Sequence, residues 1–307
     1  MADTASLGVK VRGKVIVITG GARGIGLATA TALHRLGARV AIGDIDEAKV
    51  KESGADLGLD VYGKLDVTDR DSFSDFLDRV ERQLGPIDVL VNNAGIMPVG
   101  RIIDEPDSVT RRILDINVFG VILGSKLAVE RMIPRGSGQV INVASLAGEL
   151  YAVGLASYCA SKHAVVAFTD SARLEYRSAG VKFSMVLPTF VNTELTAGTA
   201  GVKGFKNAEP ENIADAIVRL VAHPKPRVRV TRAAGAMVVA QKFSPSAGGR
   251  GTEPHVGRRT RLHRRRRRRQ AQSLRGARSW TGLTRFSWQF TEGAHNRPGE
   301  PGEPCEP

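Results

Sequence analysis

The segment KVIVITGGARGIGLATATALHRLGARVAIGD, residues 14–44, decides the fold class. Its opening KVIVIT is a β-branched apolar run without alternation, as expected of a parallel strand buried on both faces. The run breaks into TGGARGIG, continues as the helical pattern LATATALHRLG and ends in a second apolar run, ARVAIGD. Strand, tight turn, helix and strand in this order predict a βαβ unit. Gly20, Gly24 and Gly26 let the backbone turn sharply and approach a pyrophosphate, which the N–H groups and dipole of the helix N-terminus would favour. The spacing is Gly-x-x-x-Gly-x-Gly, with Arg23 and Ile25 inside it, rather than the commoner Gly-x-Gly-x-x-Gly. A glycine-rich turn with no ligand is the plain alternative.

Asp44 closes the second strand 18 residues after Gly26, near the roughly 20-residue offset at which a carboxylate meets an adenosine ribose. An acid there accepts from the 2′-OH and repels a 2′-phosphate, so it predicts NAD as cofactor in preference to NADP. Arg23 argues the other way by offering a phosphate its guanidinium. Asp44 carries more weight because its position addresses the 2′ oxygen directly. The competing structural role for Asp44 is to cap the next helix, IDEAKVKES.

The alternation then repeats. VYGKLDVTD predicts a third strand ending near Asp66 and Val67, and DSFSDFLDRVERQLG an amphipathic helix stopped by Gly85 and Pro86. IDVLVNNAG reads as a fourth strand running into a turn. There Asn92, Asn93, Ala94 and Gly95 suit backbone approach by a cofactor and can tie neighbouring strands together; a plain Asx turn is the alternative. PDSVTRRILDINVFGVILGSKLAVERMI predicts one long helix with Asn117 near its middle, partly buried among Ile116, Val118 and Phe119. A fifth strand, QVINVAS, ends at Ser145, at the sheet edge where open α/β folds bind ligands. A helix to about Ala179 and a sixth strand, VKFSMVLP, follow. Five strand–helix alternations predict a doubly wound parallel α/β sheet. ENIADAIVRLVAH adds a helix and PRVRVT a last short strand, while the Gly- and Pro-containing stretch between Pro188 and Pro210 suits a lid over a site.

Tyr158 and Lys162 are four apart in SLAGELYAVGLASYCASKHAVVAF, so a helix stacks them on one face. A tyrosine with an ordinary pKa of about 10 is too weakly acidic to serve as a base near neutral pH. An ammonium beside it draws it toward the phenolate. Tyr-x-x-x-Lys also arises in many helices with no catalytic role.

Together these residues resemble the classical short-chain dehydrogenase/reductase family. The likeness is carried by TGGARGIG at residues 19–26, Asp44, Asp66, NNAG at 92–95, Asn117, Ser145 and YCASK at 158–162, and it covers about residues 11–232. It implies a single-domain Rossmann fold with about seven parallel strands, dependence on NAD or NADP, and a homo-oligomer, commonly a tetramer. By the same resemblance, Tyr158 is the general acid/base, Lys162 lowers its pKa and holds the nicotinamide ribose, Ser145 orients the substrate oxygen and Asn117 supports a water-linked proton relay. Asp66 and Val67 would border the adenine, Asn93, Ala94 and Gly95 the inner half of the cofactor, and Pro188, Val191 and Thr193 the nicotinamide end. Where the family often has Pro-Gly after the sixth strand, this sequence has Pro188-Thr189. The implied reaction is reversible hydride transfer between a nicotinamide and an alcohol carbon. Ile96, Met97, Val99, Leu146, Leu150, Tyr151, Val153 and Leu195 would line the substrate side, an apolar set that favours a lipophilic secondary alcohol or ketone over a sugar.

Composition bounds the remainder. A chain of 307 residues with 42% hydrophobic content has material for a sizeable core. MADTASLGVKVRGK lacks an apolar leader, and no run approaches the roughly 18 apolar residues that span a bilayer; the expectation is a cytoplasmic protein. Cys159 and Cys305 make neither a disulfide framework nor a metal-ligand spacing, and no metal site is expected. Of the net charge of +13, residues 244–307 supply most: they hold 14 Arg, no Lys and 5 Glu. That segment includes six consecutive arginines at 264–269, with 9 Gly and 6 Pro in 64 residues. The expected organisation is a catalytic domain over 1–243 and an Arg/Gly/Pro-rich disordered tail over 244–307. Three readings of that tail compete: an anionic-surface or nucleic-acid binding segment using its arginines with Trp280, Phe286 and Trp288, a solvated extension, and an out-of-frame translation of G+C-rich sequence. If the first holds, the protein would be a binding module on a dehydrogenase fold; the intact Ser145, Tyr158 and Lys162 favour the enzyme.

Overall fold

A computed structural model describes residues 2–189, 191 and 207–230. The expectations for Thr193, Leu195, Cys305 and the arginine-rich tail fall outside the described residues. Helix α1 (Ala2–Val11) leads into β1 (Val15–Thr19), α2 (Gly24–Arg35), β2 (Arg39–Asp44), α3 (Glu47–Asp56), β3 (Val61–Lys64), α4 (Arg70–Leu84) and β4 (Val89–Asn92). Then come α5 (Asp107–Leu114), a π turn (Asp115–Phe119), α6 (Gly120–Met132), β5 (Gly138–Val143), α7 (Ala156–Glu175), β6 (Val181–Leu187), α8 (Pro210–Ala222) and β7 (Arg227–Arg229).

The strands form one sheet in the order β3-β2-β1-β4-β5-β6-β7, every pair parallel. The order reverses between β1 and β4, and the crevice outside the carboxyl ends of those two strands is where such sheets take ligands. Alternate strand residues feed opposite layers. Ile16, Ile18, Val40, Ile42, Val91 and Ile141 pack with Leu33 of α2 and Ile213 and Ile217 of α8. Val15, Val17, Ala41, Leu90 and Val140 pack with Phe73, Leu77 and Val80 of α4 and Leu123 and Leu127 of α6. Burial on both faces explains the unbroken apolar runs. The helices start where short acceptors cap them: Asp46 accepts from Lys49 N before α3 and Asp69 from Ser72 N before α4. Gly85, at φ 89°, ends α4.

Two local features depart from the sequence expectations. Residues 2–11 form a helix whose Leu7 and Val11 are buried in the layer that also holds α8; only two apolar positions at helical spacing announce it. The long helix expected around Asn117 runs from Asp107 to Met132, but its middle is a π turn. Such turns re-aim a side chain, often at functional sites. Among the described residues no helix is long and apolar enough to cross a membrane.

Candidate active site

The glycine turn sits between β1 and α2. Gly20 has φ 66°, and a Cβ on it would lie 2.9 Å from Ala94 Cα; one on Gly26 would lie 2.1 Å from Gly20 O. Neither position accepts a side chain without moving backbone. Thr19, at the end of β1, locks the turn to β4: its Oγ1 accepts from Asn93 N and Ala94 N, both at 3.0 Å. Asn93 Nδ2 donates back to Thr19 O (2.9 Å) and Gly20 O (3.0 Å). Asn92 is fully committed inside the fold, donating to Asn142 Oδ1 (2.9 Å) and Ser125 Oγ (3.2 Å). Helix α2 begins without a side-chain cap, so its first turn keeps the donor character that binds anions.

Asp44 does not cap α3; Asp46 does. Asp44 instead accepts from Ala22 N in the glycine turn (3.1 Å) and from Asp46 N (3.1 Å). Arg23 forms an ion pair with Asp46. Asp66 lies two residues beyond β3, its Oδ1 accepting from Thr68 N (2.9 Å) and Thr68 Oγ1 (2.7 Å), while Val67 is packed against Gly120.

The second half of the site gathers around Gly95. A Cβ there would come within 3.1 Å of Asn117 Oδ1 and 3.6 Å of Lys162 Nζ. Asn117, fully buried, clamps one peptide unit: Oδ1 accepts from Ile96 N (2.8 Å) and Nδ2 donates to Ile96 O (2.9 Å) and Ser161 Oγ (3.1 Å). Partial burial was expected; the π turn makes it complete. Lys162 Nζ donates to Val143 O (3.0 Å) and sits 5.7 Å from the Tyr158 ring centroid. Ser145, just beyond β5, accepts from Ala147 N (3.1 Å), and its side chain neighbours that of Tyr158. Tyr158 packs with Met97, Leu155 and the buried Cys159.

Burial, not mutual attraction, dominates the Tyr158–Lys162 pair. It pushes the Tyr158 phenol up to about 12, with the neighbouring Ser145 side chain drawing it back. Burial also pushes the Lys162 ammonium down to about 8. Desolvation thus works against the charged form of both groups, while Lys162 remains an ammonium below about pH 8.

Along the substrate side, Met97 and Leu146 are buried, whereas Val99, Tyr151 and Val153 are exposed. Gly100 N donates to Gly154 O (3.0 Å), tying the two loops that carry them. At the end of β6, Pro188 O accepts from Leu146 N (2.9 Å) and Val191 is buried. The Thr189 hydroxyl, where the family often has Gly, is buried without a hydrogen-bond partner. Buried hydroxyls are normally satisfied, and a polar group of a bound ligand would answer this one. With the cradle at Gly20, Gly26 and Gly95, these residues fit a dinucleotide.

One cluster escaped sequence reading. Glu149 takes hydrogen bonds from Arg227 and Arg229 of β7, and Arg227 also pairs with Asp170 of α7. The alternation in PRVRVT does place both arginines on one strand face, but nothing local marks Glu149. Among the described residues no group of His, Cys, Asp or Glu could hold a metal ion.

The profile of the short chain dehydrogenase family matches residues 14–201. This chain belongs to that family. Dehydrogenases of this family use nicotinamide cofactors. Similar proteins include a "Probable oxidoreductase EphD" of Mycobacterium tuberculosis, 34% identical over 257 residues, a match covering 76% of this chain and 43% of the relative. A "Cis-4-hydroxycyclohexanecarboxylate dehydrogenase" of Sinomonas cyclohexanicum is 37% identical over 220 residues, covering 67% of this chain and 88% of the relative. A "3-alpha-(or 20-beta)-hydroxysteroid dehydrogenase" of M. tuberculosis is 37% identical over 185 residues, covering 60% and 71%. The match to the first thus spans less than half of that longer relative.

Proposed function

We propose that this short-chain dehydrogenase interconverts a lipophilic secondary alcohol and its ketone, with Tyr158 as general acid/base and NAD as the preferred cofactor. The observation that carries this reading is Lys162 Nζ held 5.7 Å from the Tyr158 ring centroid on α7, with Ser145 just beyond the carboxyl end of β5 and the glycine turn just beyond that of β1 in the same parallel sheet. The bound nicotinamide accepts or supplies the hydride. The Tyr158 oxygen takes the hydroxyl proton of the alcohol, or returns it to the carbonyl oxygen in the reverse direction. Ser145 holds the same substrate oxygen. Lys162, whose Nζ lies close to Gly95, would hold the nicotinamide ribose. Asn117, its amide spent on Ile96 and Ser161, keeps that wall in place beside the proton relay. Gly20, Arg23, Gly24, Ile25 and Gly26 line the pyrophosphate, Asp44 the adenosine ribose, Asp66 and Val67 the adenine, Asn93, Ala94 and Gly95 the inner half, and Pro188 and Val191, followed by Thr193, the nicotinamide end. The catalytic unit is assigned to residues up to about 243, acting as a homo-oligomer.

Two of the similar proteins are named for a cyclohexanecarboxylate bearing a hydroxyl and for hydroxysteroids. With the apolar side formed by Met97, Leu146 and Val99, this supports an alicyclic secondary alcohol. A screen of cyclohexanols, hydroxysteroids and their ketones, followed at the nicotinamide absorbance with NAD and NADP, tests the proposal. Turnover of polyols alone, or of no member of the panel, would overturn it.

Cofactor choice gives a separate prediction. Asp44 repels a 2′-phosphate, and Asp46 keeps Arg23 paired. Asp44→Ala should cut the NAD/NADP ratio of kcat/KM by at least about tenfold, the effect of removing one close like-charge contact. Asp44→Ala combined with Asp46→Ala should lower it further, because the Asp46 carboxylate then no longer competes with the phosphate for Arg23. A ratio unmoved by either change rules out this account of selectivity.

A further inference from the structure

The turn that follows Ser145 is gripped from the side by charges with no part in the proposed proton transfer. Ser145 caps a single 3-10 turn, Leu146–Gly148. Leu146 N bonds to Pro188 O, and Gly148 lies so close to α7 that a Cβ would meet Lys162 O at 2.7 Å. The next residue is Glu149, whose side chain is only 6% exposed. Its Oε1 accepts from Arg227 Nη1 (2.6 Å) and Arg229 Nη2 (2.7 Å), and its Oε2 from Arg229 Nε (2.6 Å). The other end of the Arg227 guanidinium pairs with Asp170, two helical turns past Lys162 on α7. Arg227 therefore joins the turn that begins at Ser145 to the helix that carries Tyr158.

This cluster lies outside the class of surface ion pairs that contribute little: the carboxylate is nearly buried and meets Arg229 through two parallel bonds. Burial alone would raise the Glu149 carboxyl, but the hydrogen bonds and charges of Arg229 and Arg227 more than reverse this and hold it below the usual range. Strand β7 is three residues long and only half-buried. What the contacts of Arg227 have in common is the spacing between the turn after Ser145 and α7.

We propose that Glu149, with Arg227, Arg229 and Asp170, is a positioning group that fixes Ser145 against Tyr158 and so sets the reaction rate without touching substrate or cofactor. The proposal rests on the reaction assigned above. The test uses the full chain with Glu149→Gln, Arg229→Lys and Glu149→Asp. Amide hydrogen exchange over residues 145–150 is measured together with kcat, KM and nicotinamide cofactor binding. In Glu149→Gln and Arg229→Lys, exchange at Leu146 and Ala147 should accelerate relative to α2 and α4. The kcat should fall about tenfold, the scale of a sub-ångström misplacement, while cofactor affinity stays within about twofold. The pH profile of kcat should move upward as Ser145 loses its place beside Tyr158 and draws the phenol down less. Glu149→Asp, which keeps the charge, should recover part of the rate. Unchanged exchange overturns the proposal, and so does faster exchange with unchanged kcat and pH profile, which marks a purely structural cluster. If Glu149→Gln does not fold, Arg229→Lys decides by the same criteria. A wild-type protein that turns over no alcohol or ketone defeats the assigned reaction and this proposal with it; an active wild type with an indifferent Glu149 defeats this proposal alone.

Discussion

Tyr158→Phe should yield a folded protein that binds nicotinamide cofactor as the wild type does and has lost its turnover by at least about a thousandfold. General acid–base groups contribute roughly 10²–10⁴ in rate, and within the proposed reaction Tyr158 is the group that exchanges the substrate proton. The fold should tolerate the change. Phe keeps the ring among Met97, Leu155 and Cys159, and losing one buried hydroxyl hydrogen bond costs about 1 kcal/mol. Ser145 retains its bond from Ala147 N. Calorimetric titration with NAD separates binding from chemistry, and steady-state rates in both directions measure the loss. Turnover within tenfold of wild type would remove Tyr158 from the mechanism.

The same residue sets the direction of the pH dependence. With its phenol pushed up to about 12 by burial, Tyr158 carries its proton throughout the neutral range. Ketone reduction, which needs that proton, should hold steady between about pH 6 and 8, whereas alcohol oxidation, which needs the phenolate, should climb with pH as the deprotonated fraction grows. An oxidation rate that falls with rising pH over that window would contradict the assignment.

How much of this was legible in the sequence depended on the range of the interaction. KVIVIT announces β1 because burial on both faces demands an uninterrupted apolar run, and the glycine turn announces itself because Gly20 and Gly26 stand where a Cβ cannot fit. Tyr158 and Lys162 are visible as a pair because a helix brings residues four apart together. The sign of their electrostatics is not visible, since desolvation depends on what the whole fold lays over them. Asn117 could be named, but its complete burial depends on one π turn, a change of hydrogen-bond register that leaves no trace in composition. Glu149 meets arginines 78 and 80 residues away, and no local pattern foretells such a partner.

Lys162→Met should make the protein more stable and less active at the same time. Below about pH 8 the lysine is charged in both the folded and the unfolded chain, so folding bears the full cost of burying an ammonium. The depression from 10.5 to about 8 corresponds to a cost on the order of 3 kcal/mol. Methionine fills much of the same volume without charge, but Val143 O loses its donor, which returns about 1 kcal/mol. The expected net gain at pH 7 is therefore about 1–2 kcal/mol, or a few degrees in Tm. Between pH 8 and 10.5 the unfolded chain keeps a proton that the folded chain has released, so wild-type stability rises with pH there. The advantage of Lys162→Met should shrink across that window and vanish or reverse above it, while the rate at pH 7 falls because the nicotinamide ribose would lose its ammonium partner. Thermal unfolding of both proteins at pH 7, 9 and 10.5 reads this directly. A variant less stable than wild type at pH 7, or a stability difference that does not change with pH, would show that Lys162 is not held at a cost, and that stability is not what this site gives up for function.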